Sequence, residues 1–376
     1  MRIGIDCRLW NETGVGRYTR NLVSELAKID KKNTYVLFFR NEEFNSVTLP
    51  GENFEKHKAS MRWHTIKEQV YLPFLLLKFK LDLVHFPYFS VPTQYRGKFI
   101  VTIHDLILDH FDTGEASTLP WIIYKAKRLA YKYIISQTAA KAARIIAVSE
   151  ATKREIVDHL PISKDKISVI YEGVDTSVSE GVSEKPLVKP PYYLYVGNAY
   201  PHKNLVRLLE AYGLFLQNVG QEIPLVLVGK EDYFYKQLQV TAQNMFVDKT
   251  IQFLADVDDK QLASLYNHAN ALVVPSLMEG FGLPILEAMI NNCNVVASDI
   301  PAFREIGKDA IIYFNPESSG SIAKALEKNL TLDKTARETY SKAGTERSKL
   351  FSFEKMAQET LALYNAVASN NDKSDH

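Results

Sequence analysis

The sequence predicts an α/β protein made of two doubly wound domains, each a parallel sheet flanked by helices. Three observations predict it. Short runs of consecutive apolar residues recur along the 376-residue chain, as expected of strands buried on both faces of a parallel sheet. Amphipathic helical stretches fill the gaps between several of them. A segment rich in Ser, Gly, Pro and charge, DTSVSEGVSEKPLVKPP at 175–191, divides the series into two halves.

In the first half, RIGID (2–6), TYVLFF (34–39), LVHF (83–86), FIVTIH (99–104), RIIAVS (144–149) and ISVIYEG (167–173) read as strands. GRYTRNLVSELAKI (16–29) and EATKREIVDHL (150–160) read as helices. In the second half the strands are YYLYVG (192–197), PLVLVG (224–229), TIQFL (250–254), ALVVP (271–275), NVVAS (294–298) and AIIYF (310–314). Helices are expected over 203–217 and 258–268, and a helix closes the chain before a frayed SNNDKSDH tail. The expected boundaries are 1–180, 181–353 and a terminal helix and tail at 354–376. Parallel sheets of this kind bind ligands beyond the carboxyl ends of their strands. Two such domains facing each other are expected to form a cleft.

Composition narrows the function. The chain is 46% hydrophobic and 24% charged with a net charge of +1, which fits neither a disordered chain nor a basic nucleic-acid binder. Cys7 and Cys293 lie beside apolar runs and read as buried free thiols. MRIGID leads directly into a strand, and no apolar run reaches membrane-spanning length, so a cytoplasmic protein is expected, peripheral at the inner face of a membrane if it meets one. Two aromatic and basic stretches, 61–80 and 121–144, read first as amphipathic helices that bury their aromatic face. Their make-up also suits contact with an anionic membrane or a lipid-linked acceptor.

The most informative stretch is EGFGLPILE at 279–287. Pro284 lacks an N–H and suits the first turn of a helix, which therefore starts near Leu283. Glu279 then lies in the preceding loop and Glu287 one turn inside the helix. The amides of Phe281, Gly282 and Leu283 stand at the helix N terminus, and Gly280 and Gly282 allow close approach of a ligand. Such a terminus suits phosphate, and flanking carboxylates suit hydroxyl pairs. A ligand with phosphates between two sets of hydroxyls is a nucleotide sugar, one glutamate serving the ribose and the other the sugar.

Three further stretches join it. VGNAYPHKN (196–204) carries Lys203 to the sheet's carboxyl edge, where it can neutralise a diphosphate. NETGVGRYTRNL (11–22) reads as a glycine loop in which Gly14 and Gly16 let phosphate approach, with Arg17 and Arg20 nearby. It lacks the third glycine of a dinucleotide fingerprint. FIVTIHDL (99–106) places His104 and Asp105 at a strand end. No ligand spacing for zinc, no G-x-S-x-G elbow and no Walker A pattern occurs.

With these residues together, the chain resembles the retaining glycosyltransferases of family 4, which have the GT-B fold of two Rossmann-like domains. The resemblance rests on TGVGRY, TIHDL, AVSE, VGNAYPHKN and above all PSLMEGFGLPILEAM, and it looks most like bacterial mannosyltransferases. It implies Glu287 at the donor ribose and Glu279 near the donor sugar and reacting centre. It implies the amides of Phe281, Gly282 and Leu283 at sugar hydroxyls and phosphate, Lys203 at the diphosphate, and Gly16 approaching from the other domain. His104 matches a histidine near the donor sugar, and Val257 falls in the base-contacting loop. Many members carry arginine where this chain has Asn198 and His202; both changes remove fixed charge and shift phosphate binding towards Lys203. The implied reaction moves a hexose, mannose from GDP-mannose first, to a hydroxyl of a glycan or lipid-linked acceptor, without metal or cofactor. Front-face attack and a Glu279 nucleophile both remain open. So do a UDP-sugar-dependent glucosyltransferase, a nucleotide-sugar epimerase, an NAD-dependent oxidoreductase and an inactive sensor.

Overall fold

Apolar β-rich runs become the strands of two wholly parallel sheets. The structure, a computed structural model, describes residues 1–12, 14–111, 121–174, 186–245 and 247–369. The expected linker falls largely outside the described residues, as does the tail from 370.

The first sheet contains β1 (Arg2–Asp6), β2 (Thr34–Phe39), β3 (Phe54–Lys58), β4 (Leu83–Phe86), β5 (Phe99–Ile103), β6 (Arg144–Ala147) and β7 (Ile167–Val169). Their order is β3-β2-β1-β4-β5-β6-β7. The sequence reading did not include β3, FEKHK, which pairs with β2 at the sheet edge. An edge strand needs only one buried anchor, here Phe54, and carries charge to discourage further pairing. Charge of that kind hides it from a search for apolar runs.

The second sheet contains β8 (Tyr193–Val196), β9 (Leu225–Val228), β10 (Ile251–Leu254), β11 (Ala271–Val274), β12 (Val295–Ser298) and β13 (Ile311–Phe314). Their order is β10-β9-β8-β11-β12-β13. The direction of winding reverses at β1/β4 in one sheet and at β8/β11 in the other. Loops diverge at such a point and leave a crevice at the carboxyl ends of the strands.

Among the described residues, one compact unit holds 1–106, 121–173 and 353–369, and the other holds 107–111 and 174–352. The terminal helix Phe353–Ser369 is therefore part of the first unit rather than an appendage. It buries Phe353, Met356, Ala357, Tyr364 and Val367 in one cluster with Tyr18, Leu22, Val23 and Leu26 of the helix Gly14–Ile29. A polar chain fixes its register: the Tyr364 hydroxyl meets His85 Nδ1 at 2.7 Å, and His85 Nε2 meets Thr102 Oγ1 at 2.8 Å. Burial pushes the His85 imidazole down to about 3, so it is neutral. Both cysteines are buried free thiols.

The helix Ile66–Leu77 corrects the expectation of a buried aromatic face. It buries Glu68, Leu72, Pro73 and Leu76, while Ile66 (85% exposed), Val70, Tyr71, Phe74 and Leu77 (62%) face outward. Ile66, Val70, Phe74 and Leu77, four and then three residues apart, form one stripe. No described helix is long and apolar enough to cross a membrane.

Trp10, Trp63 and Trp121 all belong to the first unit, so intrinsic fluorescence follows its unfolding. Tyr364→Phe leaves His85 Nδ1 without its partner and is expected to destabilise that unit by about 1–3 kcal/mol. Denaturant titration by fluorescence measures this; an unchanged midpoint would remove the polar chain from the account of helix docking.

Candidate functional site

The second unit assembles most of the expected site at its switch point. β8 runs into Gly197, whose φ of 149° is a conformation glycine tolerates, and a Cβ there would stand 2.9 Å from the Tyr195 hydroxyl. That hydroxyl donates to the Asn198 carbonyl at 2.6 Å, and Asn198 Oδ1 accepts from the Tyr200 amide at 3.3 Å. The half-buried Asn198 thus shapes the loop through its backbone and its side chain. A short 3-10 turn, Pro201–Lys203, follows. Asn204, left-handed at φ 60°, donates to the carbonyls of Pro275 (3.0 Å) and Pro316 (2.8 Å), which ties this loop to the end of β11.

Lys203 and Glu279 meet there. Lys203 Nζ donates to Glu279 Oε1 at 2.6 Å, and Ser276 Oγ donates to the same oxygen at 2.7 Å. Burial alone would push the Glu279 carboxyl up. The charge of Lys203, with the hydrogen bonds from Lys203 and Ser276, holds it below the ordinary glutamate value. It is an anion whose cation is already in place.

The helix Leu283–Ile290 begins where Pro284 predicts. Gly282, at φ 124°, holds a conformation that strains any residue with a side chain, and a Cβ there would press against the Phe303 ring at 3.0 Å. Phe281 is buried with its ring edge-on to Phe351 at 5.8 Å. The positive end of the helix dipole lies at Gly282–Pro284, with Leu283 half-buried in the first turn. Glu287 is one turn inside and 4% exposed; its Oε2 accepts from the Tyr266 hydroxyl at 2.8 Å. Val257, half-buried, lies between β10 and the helix Asp259–His268, directly before the capping residue Asp258.

The first unit holds the remaining candidates. Gly14 and Gly16 are not in a loop: the helix Gly14–Ile29 starts at Gly14, so both lie in its first turn. A Cβ on Gly16 would stand 2.5 Å from the Trp10 carbonyl oxygen and 2.7 Å from that of Leu9, so backbone packing already demands glycine there. Gly14 is exposed with open space around its α-carbon. The Arg20 guanidinium donates to the Trp10 carbonyl.

His104 follows β5 directly. Its Nδ1 is 2.7 Å from Glu172 Oε1 and its Nε2 is 3.0 Å from the Pro87 carbonyl oxygen. Both partners are acceptors, so both nitrogens carry protons and the ring is an imidazolium. Burial lowers its pKa, but the hydrogen bond and charge of Glu172, then Asp105 and Pro87, raise it above the usual histidine value. The Tyr18 ring packs edge-on at 5.0 Å. His104 is a locked cation rather than an open hydrogen-bonding side chain.

Sequence reading missed three partners. Ser276 stands three residues before Glu279 and was within reach of inspection. Tyr266 and Glu172 act across 21 and 68 residues and leave no local signal.

Comparison with known proteins finds family matches along most of the chain. A family model described as Glycosyltransferase Family 4 matches residues 13–178, and one described as Glycosyl transferases group 1 matches 181–347. The O-antigen chain mannosyltransferase RfbU of Salmonella typhimurium is 26% identical, over 84% of this chain and 86% of its own length. The O-antigen chain mannosyltransferase B of Escherichia coli is 27% identical, over 94% and 96%. Among solved structures, sucrose-phosphate synthase from Thermosynechococcus elongatus superposes with a TM-score of 0.78 at 20% identity, covering 98% of this chain and 100% of that one. WaaG, a glycosyltransferase involved in lipopolysaccharide biosynthesis, does so with 0.70 at 14% identity, covering 96% and 98%.

The raised pKa of His104 has a defined consequence. A cation stabilised in the folded state contributes fully below its unfolded pKa of about 6.5 and is lost as pH climbs through the folded value. Glu172→Gln is therefore expected to cost the first unit more stability at about pH 6 than at about pH 9. Equal losses at both pH values, by fluorescence-monitored denaturation, would rule out the imidazolium.

Proposed function

The chain belongs to glycosyltransferase family 4 and has the GT-B fold, and on that premise we propose that it transfers mannose from GDP-mannose, with retention, to a hydroxyl of a glycan or lipid-linked acceptor. The observation that carries this reading is the Lys203–Glu279 pair beside the N terminus of the helix that bears Glu287. The mannosyltransferase names of two relatives aligned over most of the chain support the choice of sugar.

The leaving group is a diphosphate, so the site must stabilise negative charge that grows as the glycosidic bond breaks. Lys203 and the helix dipole at Gly282–Pro284 supply positive charge already oriented in the folded protein. Lys203 then shares its charge between Glu279 and phosphate, and no metal is required of this charge balance. Glu287, aimed by Tyr266, serves the ribose hydroxyls. Val257 serves the base, and the backbone at Asn198, Phe281, Gly282 and Leu283 serves phosphate and sugar. Gly14 and Gly16 are the first unit's candidates for the diphosphate, and His104 adds a fixed positive charge.

Glu279, engaged by two donors on one oxygen, is a weak base. This favours a front-face course in which the departing phosphate oxygen takes the acceptor's proton. The exposed stripe of Ile66, Val70, Phe74 and Leu77, with exposed Arg62, Lys67, Lys78 and Lys80 nearby, supports contact with an anionic membrane that carries a lipid-linked acceptor.

GDP-mannose well above its Kd is expected to raise the thermal midpoint equally with and without EDTA. Glu287→Ala abolishes most of that shift, and Lys203→Ala lowers turnover by about 10²-fold or more. A shift by UDP-sugars alone would replace the donor, one that needs metal would remove metal independence, and turnover of the donor without acceptor would favour an epimerase. On the membrane side, flotation with anionic liposomes is expected for the wild type and lost in Phe74→Asp. A wild type that remains wholly unbound would remove the membrane contact.

A further inference from the structure

His202 is an anomaly within the second unit. It is only 7% exposed, yet its Nδ1 is buried with no hydrogen-bond partner among the described residues. Buried polar atoms are nearly always satisfied, so an orphan beside a charged pair calls for an explanation. The backbone beneath the ring is fixed, since His202 is the middle residue of the turn Pro201–Lys203 and its carbonyl accepts from the Leu277 amide at 2.8 Å, but rotation about the side-chain torsions remains open to turn Nδ1 towards a ligand. Tyr200 and Phe111 pack against the ring at centroid distances of 6.1 and 6.0 Å.

We propose that His202 faces the phosphates of the bound nucleotide sugar and takes up a proton from solvent when that ligand binds. The inference rests on the donor reading above and goes beyond it by assigning a second, switchable cation to the site.

The physical case concerns charge balance. In the free protein Lys203 and Glu279 neutralise each other. Burial makes an extra charge costly and pushes the imidazole down to about 4; Glu279 pulls it upward and Lys203 pushes it further down. Tyr200 is the other titratable group against the ring. A diphosphate diester brings two negative charges beside this balanced pair. The sum then favours a cation at His202, and an Nδ1–H bond to a phosphate oxygen satisfies the orphan as a charge-assisted hydrogen bond. Charge on the leaving diphosphate increases during the reaction, so a protonated His202 binds the transition state more strongly than the ground state. A permanently charged side chain in this position would lack such a response.

The test is calorimetry of wild type with GDP-mannose and with UDP-glucose at about pH 6, each in two buffers of different ionisation enthalpy. These diphosphate diesters do not titrate near neutrality, so buffer-dependent heat counts protons taken up by the protein. Uptake approaching one proton per ligand is expected. Affinity should fall with rising pH by up to about tenfold per unit between the free-state and bound-state pKa values, and level off above the bound-state value. His202→Asn should bind more weakly with no uptake. Binding without uptake in the wild type, or uptake that persists in His202→Asn, overturns the assignment and leaves the transferase reading intact. Absence of binding by either nucleotide sugar overturns both.

Discussion

A carboxylate taken out of water needs a cation close by, and in the second unit that need fastens together two loops far apart in sequence. Glu279 follows β11 and Lys203 follows β8, 76 residues earlier. The strands are neighbours in the sheet, so their loops diverge from adjacent points. Glu279 can remain ionised because Lys203 and Ser276 reach it. Asn204 secures the same two loops through the Pro275 carbonyl, and the loop after β13 through that of Pro316. The two loops are thus held together by the chain's own side chains, which keeps the charged groups oriented.

The fold was legible because two-sided burial leaves apolar runs, and these marked twelve of the thirteen described strands. β3 escaped because its lysines and histidine are the solution to being at an edge. The helix start at Leu283 was legible because proline permits few positions. The start at Gly14 was not, since glycines read as loop while here packing against the Leu9 and Trp10 carbonyls selects Gly16 inside the first turn of the helix. At the site, residue identity was readable and partnership was not. The sequence held Lys203, Glu279, Glu287 and His104, but not that Lys203 is already paired, that Tyr266 aims Glu287, or that Glu172 locks His104.

These partnerships divide the charged groups by behaviour. His104 is confined by two acceptors and holds its charge. Lys203 and Glu279 hold theirs mutually and can redistribute it. His202 is left without an anchor at Nδ1 among the described residues. The first unit thus carries a fixed charge at His104, and the second a shared one at Lys203 and Glu279 beside His202.

The helix Phe353–Ser369 has a consequence for how the molecule is made. It supplies part of the first unit's core, yet the ribosome produces it only after every strand of the second sheet. Domains that emerge early usually fold early. Here the second unit can be completed while the first still exposes the apolar surface around Tyr18 and Leu22. The amino-terminal half therefore finishes last, and it spends synthesis as the part most in need of protection from aggregation.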